Sequence, residues 1–233
     1  MITVKKKSKS ICQTKALIFM KAHSERLPDK NMKKLCGRPL FHWILDSLSE
    51  AKYINEIIIN TDSKEIAESA TNNYDVTIHM RPKYLLDIDG DEANQIIEYD
   101  LSKTKGEFFF QSHSTNPLLT ADTIDSAIEE YFHNKFDSLV SVTERYKRYF
   151  TLDGEPINHN PQNLVKTQHC KSIYEENSCM YIFSRKIFEK NVNRIGENPM
   201  LYPISSFESI DIDEPIDFEI AEFLMKRRNT LNR

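Results

Sequence analysis

Residues 56–65 read Glu56-Ile57-Ile58-Ile59-Asn60-Thr61-Asp62-Ser63-Lys64-Glu65, and this stretch decides the fold. Three successive isoleucines suit a strand buried on both faces, the mark of a parallel sheet. Directly behind them Asp62 and Glu65 stand three apart, the spacing of a helix cap and its return partner. A helix to about Ala70 follows, then a short strand over 76–79. Strand, tight turn, helix and strand make one βαβ unit.

The same rhythm extends in both directions. Residues 16–20 read as a strand. Residues 40–48 (LFHWILDSL) read as a helix with Leu40, Trp43, Ile44 and Leu48 on one face. Further on, 92–101 has helical periodicity, 108–111 reads as a strand, 120–131 as a helix opened by Thr120 or Asp122, and 138–142 as a strand. Alternation of this kind predicts an α/β fold whose mainly parallel sheet binds ligand at the carboxyl ends of its strands, after Met20, Asn60, Gln111 and Val142. Between 145 and 178 the rhythm breaks into an irregular excursion holding Gly154, Pro156, Pro161 and the run Arg145-Tyr146-Lys147-Arg148-Tyr149-Phe150. Residues 180–183 return as a strand, and a helix over 215–228 closes the chain, Pro215 suiting its first turn.

Composition bounds the rest. The chain has 233 residues, 39% of them hydrophobic, enough for one large domain with a real core. The expected organisation is a flexible basic tail over 1–14 (Lys5, Lys6, Lys7, Lys9) and a single domain over 15–233. A net charge of −4 disfavours a nucleic-acid binder. A mean hydropathy of −0.54 and the lack of a long apolar run disfavour a membrane span. Cysteines at 12, 36, 170 and 179 show no two-residue metal or redox spacing and suit reduced thiols in a cytoplasmic protein.

Two segments carry chemistry. The loop after the first strand, Lys21-Ala22-His23-Ser24-Glu25-Arg26-Leu27-Pro28-Asp29-Lys30-Asn31, puts Lys21, Arg26 and Lys30 where a parallel sheet meets a phosphate. The same residues also suit an ordinary solvated loop. Near the other end, Asp211-Ile212-Asp213 alternates two carboxylates that, in an extended segment, point the same way and suit one hard cation such as Mg²⁺. The competing reading is an acidic helix start, with Asp217 four residues on.

Taken together, residues 15–225 resemble the acylneuraminate cytidylyltransferase family, the CTP-dependent activators of sialic-acid-type sugars, to which the KDO enzymes are related. The resemblance runs through Ser24, Pro28, Lys30 and Asn31, then Gly37-Arg38-Pro39-Leu40, Asn60-Thr61-Asp62 and Arg81-Pro82. It continues through Gln111-Ser112-His113-Ser114-Thr115-Asn116-Pro117-Leu118, set against the family's Q-P-T-S-P-L. Asp137-Ser138 with Ser141-Val142, Asn177 with Tyr181-Ile182, and Asp211-Ile212-Asp213 with Asp217-Phe218 complete it. There are departures. The family's A-R-G-G-S loop is Met20-Lys21-Ala22-His23-Ser24 here, and its R-Q pair is Thr167-Gln168.

The resemblance implies a three-layer αβα domain of the nucleotide-diphospho-sugar transferase type. It implies a cytidylyltransferase joining CTP to a nine-carbon 2-keto sugar acid of sialic, legionaminic or pseudaminic type, with release of pyrophosphate. Lys21 and Lys30 are expected on the triphosphate, Ser24 and Asn31 on nucleotide atoms, and Arg81 at the cytosine end. Gln111 and Gln168 fall on the sugar side, and Asp211 and Asp213 hold Mg²⁺. A homodimer is implied too, the excursion crossing to the partner. A degenerate nucleotide-binding paralogue, or a nucleotidyltransferase or glycosyltransferase with another acceptor, are the competing functions, and motif spacing leaves the sugar itself open.

Overall fold

The isoleucine run is buried on both faces: Ile58 and Ile59 are fully enclosed and Ile57 nearly so. The computed structural model describes residues 11–24, 26–86 and 92–231, so most of the expected basic tail lies outside the described residues. In chain order the elements are β1 (Thr14–Met20), β2 (Lys34–Leu35), β3 (Arg38–Pro39), α1 (Leu40–Glu50), β4 (Ile54–Thr61), α2 (Lys64–Asn73), β5 (Thr77–Met80) and α3 (Glu92–Lys103). They continue as β6 (Phe108–His113), α4 (Ala121–His133), β7 (Ser138–Arg145), β8 (Ile173–Ser184), α5 (Arg185–Asn191), β9 (Pro199–Pro203) and α6 (Pro215–Leu231). Seven strands form one sheet in the order β5-β4-β1-β6-β8-β7-β9. Every pairing is parallel except those of β8, which is antiparallel to both β6 and β7.

Alternation along the strands supplies the two outer layers. Ala16, Ile18 and Met20 of β1 face a core shared with Phe41, Ile44 and Leu48 of α1, Ile66 of α2 and Ile124 and Ile128 of α4. Leu17 and Ile58 point the other way, to Ile97 and Leu101 of α3 and Phe188 of α5. The result is the expected αβα sandwich. A third cluster seats α6, through Phe218, Ala221 and Met225, against Leu27, Leu35 and Leu40. That packing brings the chain's last segments back onto its first loop.

Three expectations change. Ser63, not Asp62, caps α2, its hydroxyl accepting from the Ile66 N–H at 3.2 Å. Asp62 instead accepts from the Ala22 N–H at 2.7 Å, tying the loop after β1 to the end of β4. The excursion ends at residue 172 rather than 178, because β8 starts at Ile173 and runs for twelve residues. The polar run Tyr174-Glu175-Glu176-Asn177 hid that strand: it extends beyond the buried sheet, paired with β7 alone over Arg145–Val142. The β2–β3 hairpin was also missed. Its two turn residues, Cys36 (φ 49°) and Gly37 (φ 91°), both adopt the left-handed conformation that a tight hairpin needs.

An N-cap hydroxyl contributes about 1 kcal/mol. Ser63→Ala is therefore expected to lower the unfolding free energy by about that amount in urea titration. Asp62→Ala, which leaves the cap intact, should act on the loop instead and leave α2 in place.

Candidate active site

The carboxyl ends of β1 and β6 meet at a cleft of about 630 Å³. Lys21, Ser24 and Lys30 from the first loop line it, together with Asn31 and with Asp211 and Asp213 from the segment before α6. The structure thus brings six of the expected site residues into one cavity, from positions nearly two hundred residues apart in sequence.

Most of the cleft's cations are already paired. The Lys30 ammonium donates to the Ile212 carbonyl at 2.7 Å and lies 3.4 Å from the Asp213 carboxylate. Arg26 approaches the other Asp213 oxygen at 3.1 Å. Across the cavity, Lys21 meets Glu92 at 2.9 Å. Asn31 is a brace: its amide donates to the Lys21 carbonyl at 3.0 Å and its oxygen accepts from Ser114 at 2.7 Å, joining the ends of β1 and β6. Asp217 takes up the helix-start role that the acidic segment offered. Its carboxylate accepts from the N–H groups of Asp213 (3.1 Å) and Glu214 (2.8 Å), doing the helix-start work and leaving the Asp211 and Asp213 side chains to the cleft.

Arg81 lies beside the cleft, deeply buried. Its Nε donates to Asn60 Oδ1 at 2.7 Å and Nη1 lies 3.4 Å from Glu92. Asn60 in turn donates to Asp100 at 2.8 Å, and His79 Nδ1 is 2.8 Å from the same oxygen. A buried chain of polar groups thus fixes the guanidinium, with Glu92 bridging it to Lys21. Sequence reading missed Glu92, and nothing in its spacing marked it.

Two residues expected on the sugar side lie outside the cleft lining. Gln111 is fully buried in β6 and does not line the cleft. His113 lines it, and Arg194 enters beside it. The signal was available: counted back from Pro117-Leu118, a six-residue Q-P-T-S-P-L segment begins at His113, two residues after Gln111. Gln168 sits in an exposed 3-10 turn of the excursion and is not among the residues lining the cleft.

Titration follows from this setting. Burial, reinforced by the charges of Arg194 and Lys30, pushes the His113 imidazole down to about 4, so it is neutral near pH 7. Burial, with the negative charges of Asp213 and Asp217, pushes the Asp211 carboxyl up, against a hydrogen bond to Thr115 and the charge of Lys30. Two hard oxygen donors sharing one cavity, one of them disfavoured as an anion, fit a divalent cation that also takes phosphate oxygens and water. Among the described residues no group of three or more His, Cys, Asp or Glu forms a metal cluster, so the protein's share would be these two carboxylates.

With this geometry in view, comparison decides the family. The cytidylyltransferase family model matches residues 15–228. The chain belongs to the cytidylyltransferase family. A CMP-N,N'-diacetyllegionaminic acid synthase of Legionella pneumophila is 30% identical over 91% of this chain and 95% of that protein. Post-translational flagellin modification protein B of Campylobacter coli is 26% identical over 91% of this chain and 94% of its own length. Against the fish N-acylneuraminate cytidylyltransferases that it also matches, the chain spans about half their length. A CMP:2-keto-3-deoxy-manno-octonic acid synthetase solved with CTP superposes with a TM-score of 0.72 at 11% identity, covering 93% of this chain and 99% of that one. That likeness shows a shared fold.

The His113 shift has a sign that can be tested. Its ordinary value near 6.5 holds in the unfolded chain and about 4 in the fold, so between those values the unfolded state binds more protons and acid favours unfolding. Urea midpoints should therefore fall as pH drops from 7.5 to 4.5. His113→Asn should flatten part of that fall.

Proposed function

We propose that the chain is a cytidylyltransferase that joins CTP to a nine-carbon 2-keto sugar acid of the sialic or legionaminic type, releasing pyrophosphate. The observation that carries this reading is the cleft itself, where Lys21, Lys30, Asp211 and Asp213 converge at the carboxyl ends of parallel strands in a chain of this family.

In this reading the anomeric hydroxyl attacks the α-phosphorus of CTP. A new O–P bond forms, the bond to the β-phosphate breaks, and the hydroxyl proton leaves to solvent. Such a step asks little covalent chemistry of the protein and much positioning and charge stabilisation. Lys21 and Lys30 exchange their carboxylate partners for triphosphate oxygens, so the free cleft is held ready by the same charges that bind substrate. Ser24 donates to the nucleotide, and Asn31 keeps the Lys21 end of the loop in place. Arg81, immobilised by Asn60 and Glu92, serves the cytosine end. Gln111 acts from behind the sugar side. Asp211 and Asp213 would hold Mg²⁺, which when bound offsets triphosphate charge.

The excursion completes the proposal. Tyr146, Phe150, Leu152, Ile157, Leu164 and Val165 are all exposed on it, more apolar surface than a solvated loop normally carries. A homodimer in which this segment crosses to a second copy covers that surface, and gives Gln168 a route to a partner's sugar. Sedimentation at micromolar concentration should return twice the chain mass; a monomer contradicts the crossing.

Loss of one charge-stabilising contact typically costs about 10²–10³ in rate. Lys30→Ala is expected to lose that much in turnover of CTP with N,N'-diacetyllegionaminic acid or N-acetylneuraminic acid. Asp213→Asn should also slow turnover and raise the magnesium concentration needed for half-maximal rate. Near-normal turnover in Lys30→Ala at saturating CTP would remove the phosphate assignment.

A further inference from the structure

Arg194 differs from every other cation of the cleft. Lys21, Arg26 and Lys30 each face a carboxylate, as does Arg81 beside them. Arg194 lies in no ion pair with any described residue. Its side chain has five N–H donors, and its one hydrogen bond among the described residues is from Nη1 to Gln111 Oε1 at 2.8 Å. The guanidinium plane rests on the Tyr181 ring, 3.7 Å from its centroid, which fixes its orientation and leaves its edge free. The loop that carries it is pinned: the Arg194 N–H donates to Asn94 Oδ1 at 3.2 Å and the Gly196 N–H to Ser138 Oγ at 2.8 Å. At Gly196 an added Cβ would lie 2.2 Å from Asp137 Oδ1, so a side chain there would displace the Asp137 carboxylate that holds this loop.

Gln111 transmits this arrangement to His113. Its oxygen faces Arg194, which can only donate. Its Nε2 faces the Ser112 carbonyl at 3.0 Å, which can only accept. Both constraints give the amide the same orientation, so the second Nε2 hydrogen points at His113 Nε2, 3.2 Å away. That ring nitrogen must accept, and a neutral imidazole then carries its proton on Nδ1. His113 Nδ1 makes no hydrogen bond with a described residue, and the ring lines the cleft. Arg194 and His113 therefore present donors to one cavity, without a carboxylate to absorb them.

We propose that Arg194 and the His113 Nδ1–H form the subsite for the carboxylate of the sugar acid, with Gln111 and Tyr181 as positioning residues that set the fork and the tautomer. The proposal rests on the function inferred above. It follows from the charges: an anionic acceptor brought beside a triphosphate needs a cation that the phosphates do not use. A planar fork matches a carboxylate in two parallel hydrogen bonds. In strand order the subsite also lies toward β8, on the far side of β1 from Arg81, so nucleotide and acid occupy opposite ends of the cleft.

The test has two arms. In the kinetic arm, Arg194→Ala and Arg194→Lys are assayed with CTP and N,N'-diacetyllegionaminic acid or N-acetylneuraminic acid. KM for the acid should rise at least 30-fold in Arg194→Ala and be only partly rescued by lysine, with KM for CTP changed less than threefold. An unchanged KM for the acid, or an equal rise for CTP, overturns the subsite. The binding arm uses ¹⁵N NMR without turnover. Wild type should show His113 protonated on Nδ1, and Gln111→Glu should move that proton to Nε2, because a carboxylate cannot donate. Titration with N-acetylneuraminic acid should shift the Arg194 and His113 resonances, while its C1-reduced alcohol should not. If no sugar acid is turned over yet the acid still shifts both residues, the subsite stands and the proposed reaction falls. If the acid shifts neither, or His113 carries its proton on Nε2 in wild type, the subsite falls whatever the activity.

Discussion

The Lys30 ammonium is the contact on which the cleft depends. It reaches across 182 residues to the Ile212 carbonyl and the Asp213 carboxylate, joining the first loop to the segment before α6. Parallel strands alone would leave these two pieces as separate loops above the sheet. The tether gives them a common cavity, and α6 backs it by packing Phe218, Ala221 and Met225 against Leu27 of that loop and Leu35 of β2. Lys30 is mostly buried, its side chain 13% exposed, so the contact is shielded from solvent more than a surface ion pair is. The phosphate role proposed for Lys30 would use the same ammonium that holds the architecture together.

Around that tether the cleft is organised as a set of charges kept in provisional pairs. Glu92 holds Lys21, and Asp213 holds Lys30 and Arg26. In the proposed reading a triphosphate entering the site would exchange partners and not meet naked cations; the pairs themselves lower the cost of keeping the free protein folded. Asp62 and Asn31 make the exchange local. One fixes the Ala22 N–H and the other the Lys21 carbonyl, so both polar groups of the Lys21–Ala22 peptide are anchored and the backbone just after Lys21 is held. Arg194 stands outside this scheme, held by an aromatic face and a neutral amide, and for that reason it is the cation with capacity left for a second anion.

Much of this was legible in the sequence, and what was lost was lost for physical reasons. Alternating apolar runs revealed β1, β4, β6 and β7, because strands buried on both faces leave an uninterrupted signal. β8 was half read, since its first half leaves the sheet core and carries Tyr174 to Asn177 instead of apolar residues. The basic loop and the two aspartates were identified as partners of one site, though their meeting in space depended on α6 packing that no local pattern encodes. Asp62 looked like a helix cap because a carboxylate at that spacing normally is one; Ser63 next to it was the better-placed acceptor. Gln111 was taken for a substrate contact from residue type and order. Gln111 and His113 share one face of β6; Gln111 is buried within the sheet, and His113, two residues later at the strand's end, reaches the cleft. Glu92 and Arg194 carry no motif, and their roles come from the surroundings alone.

The central claim is that this cleft directs a sugar hydroxyl to the α-phosphorus of CTP. The most direct measurement is ³¹P NMR of the protein with CTP, Mg²⁺ and a panel of nine-carbon 2-keto sugar acids. Attack at the α-position predicts one phosphodiester resonance and one pyrophosphate resonance of twice its intensity, growing together as the three CTP signals fade. CTP that remains intact with every acid, or breaks down to CDP and inorganic phosphate, would contradict the account.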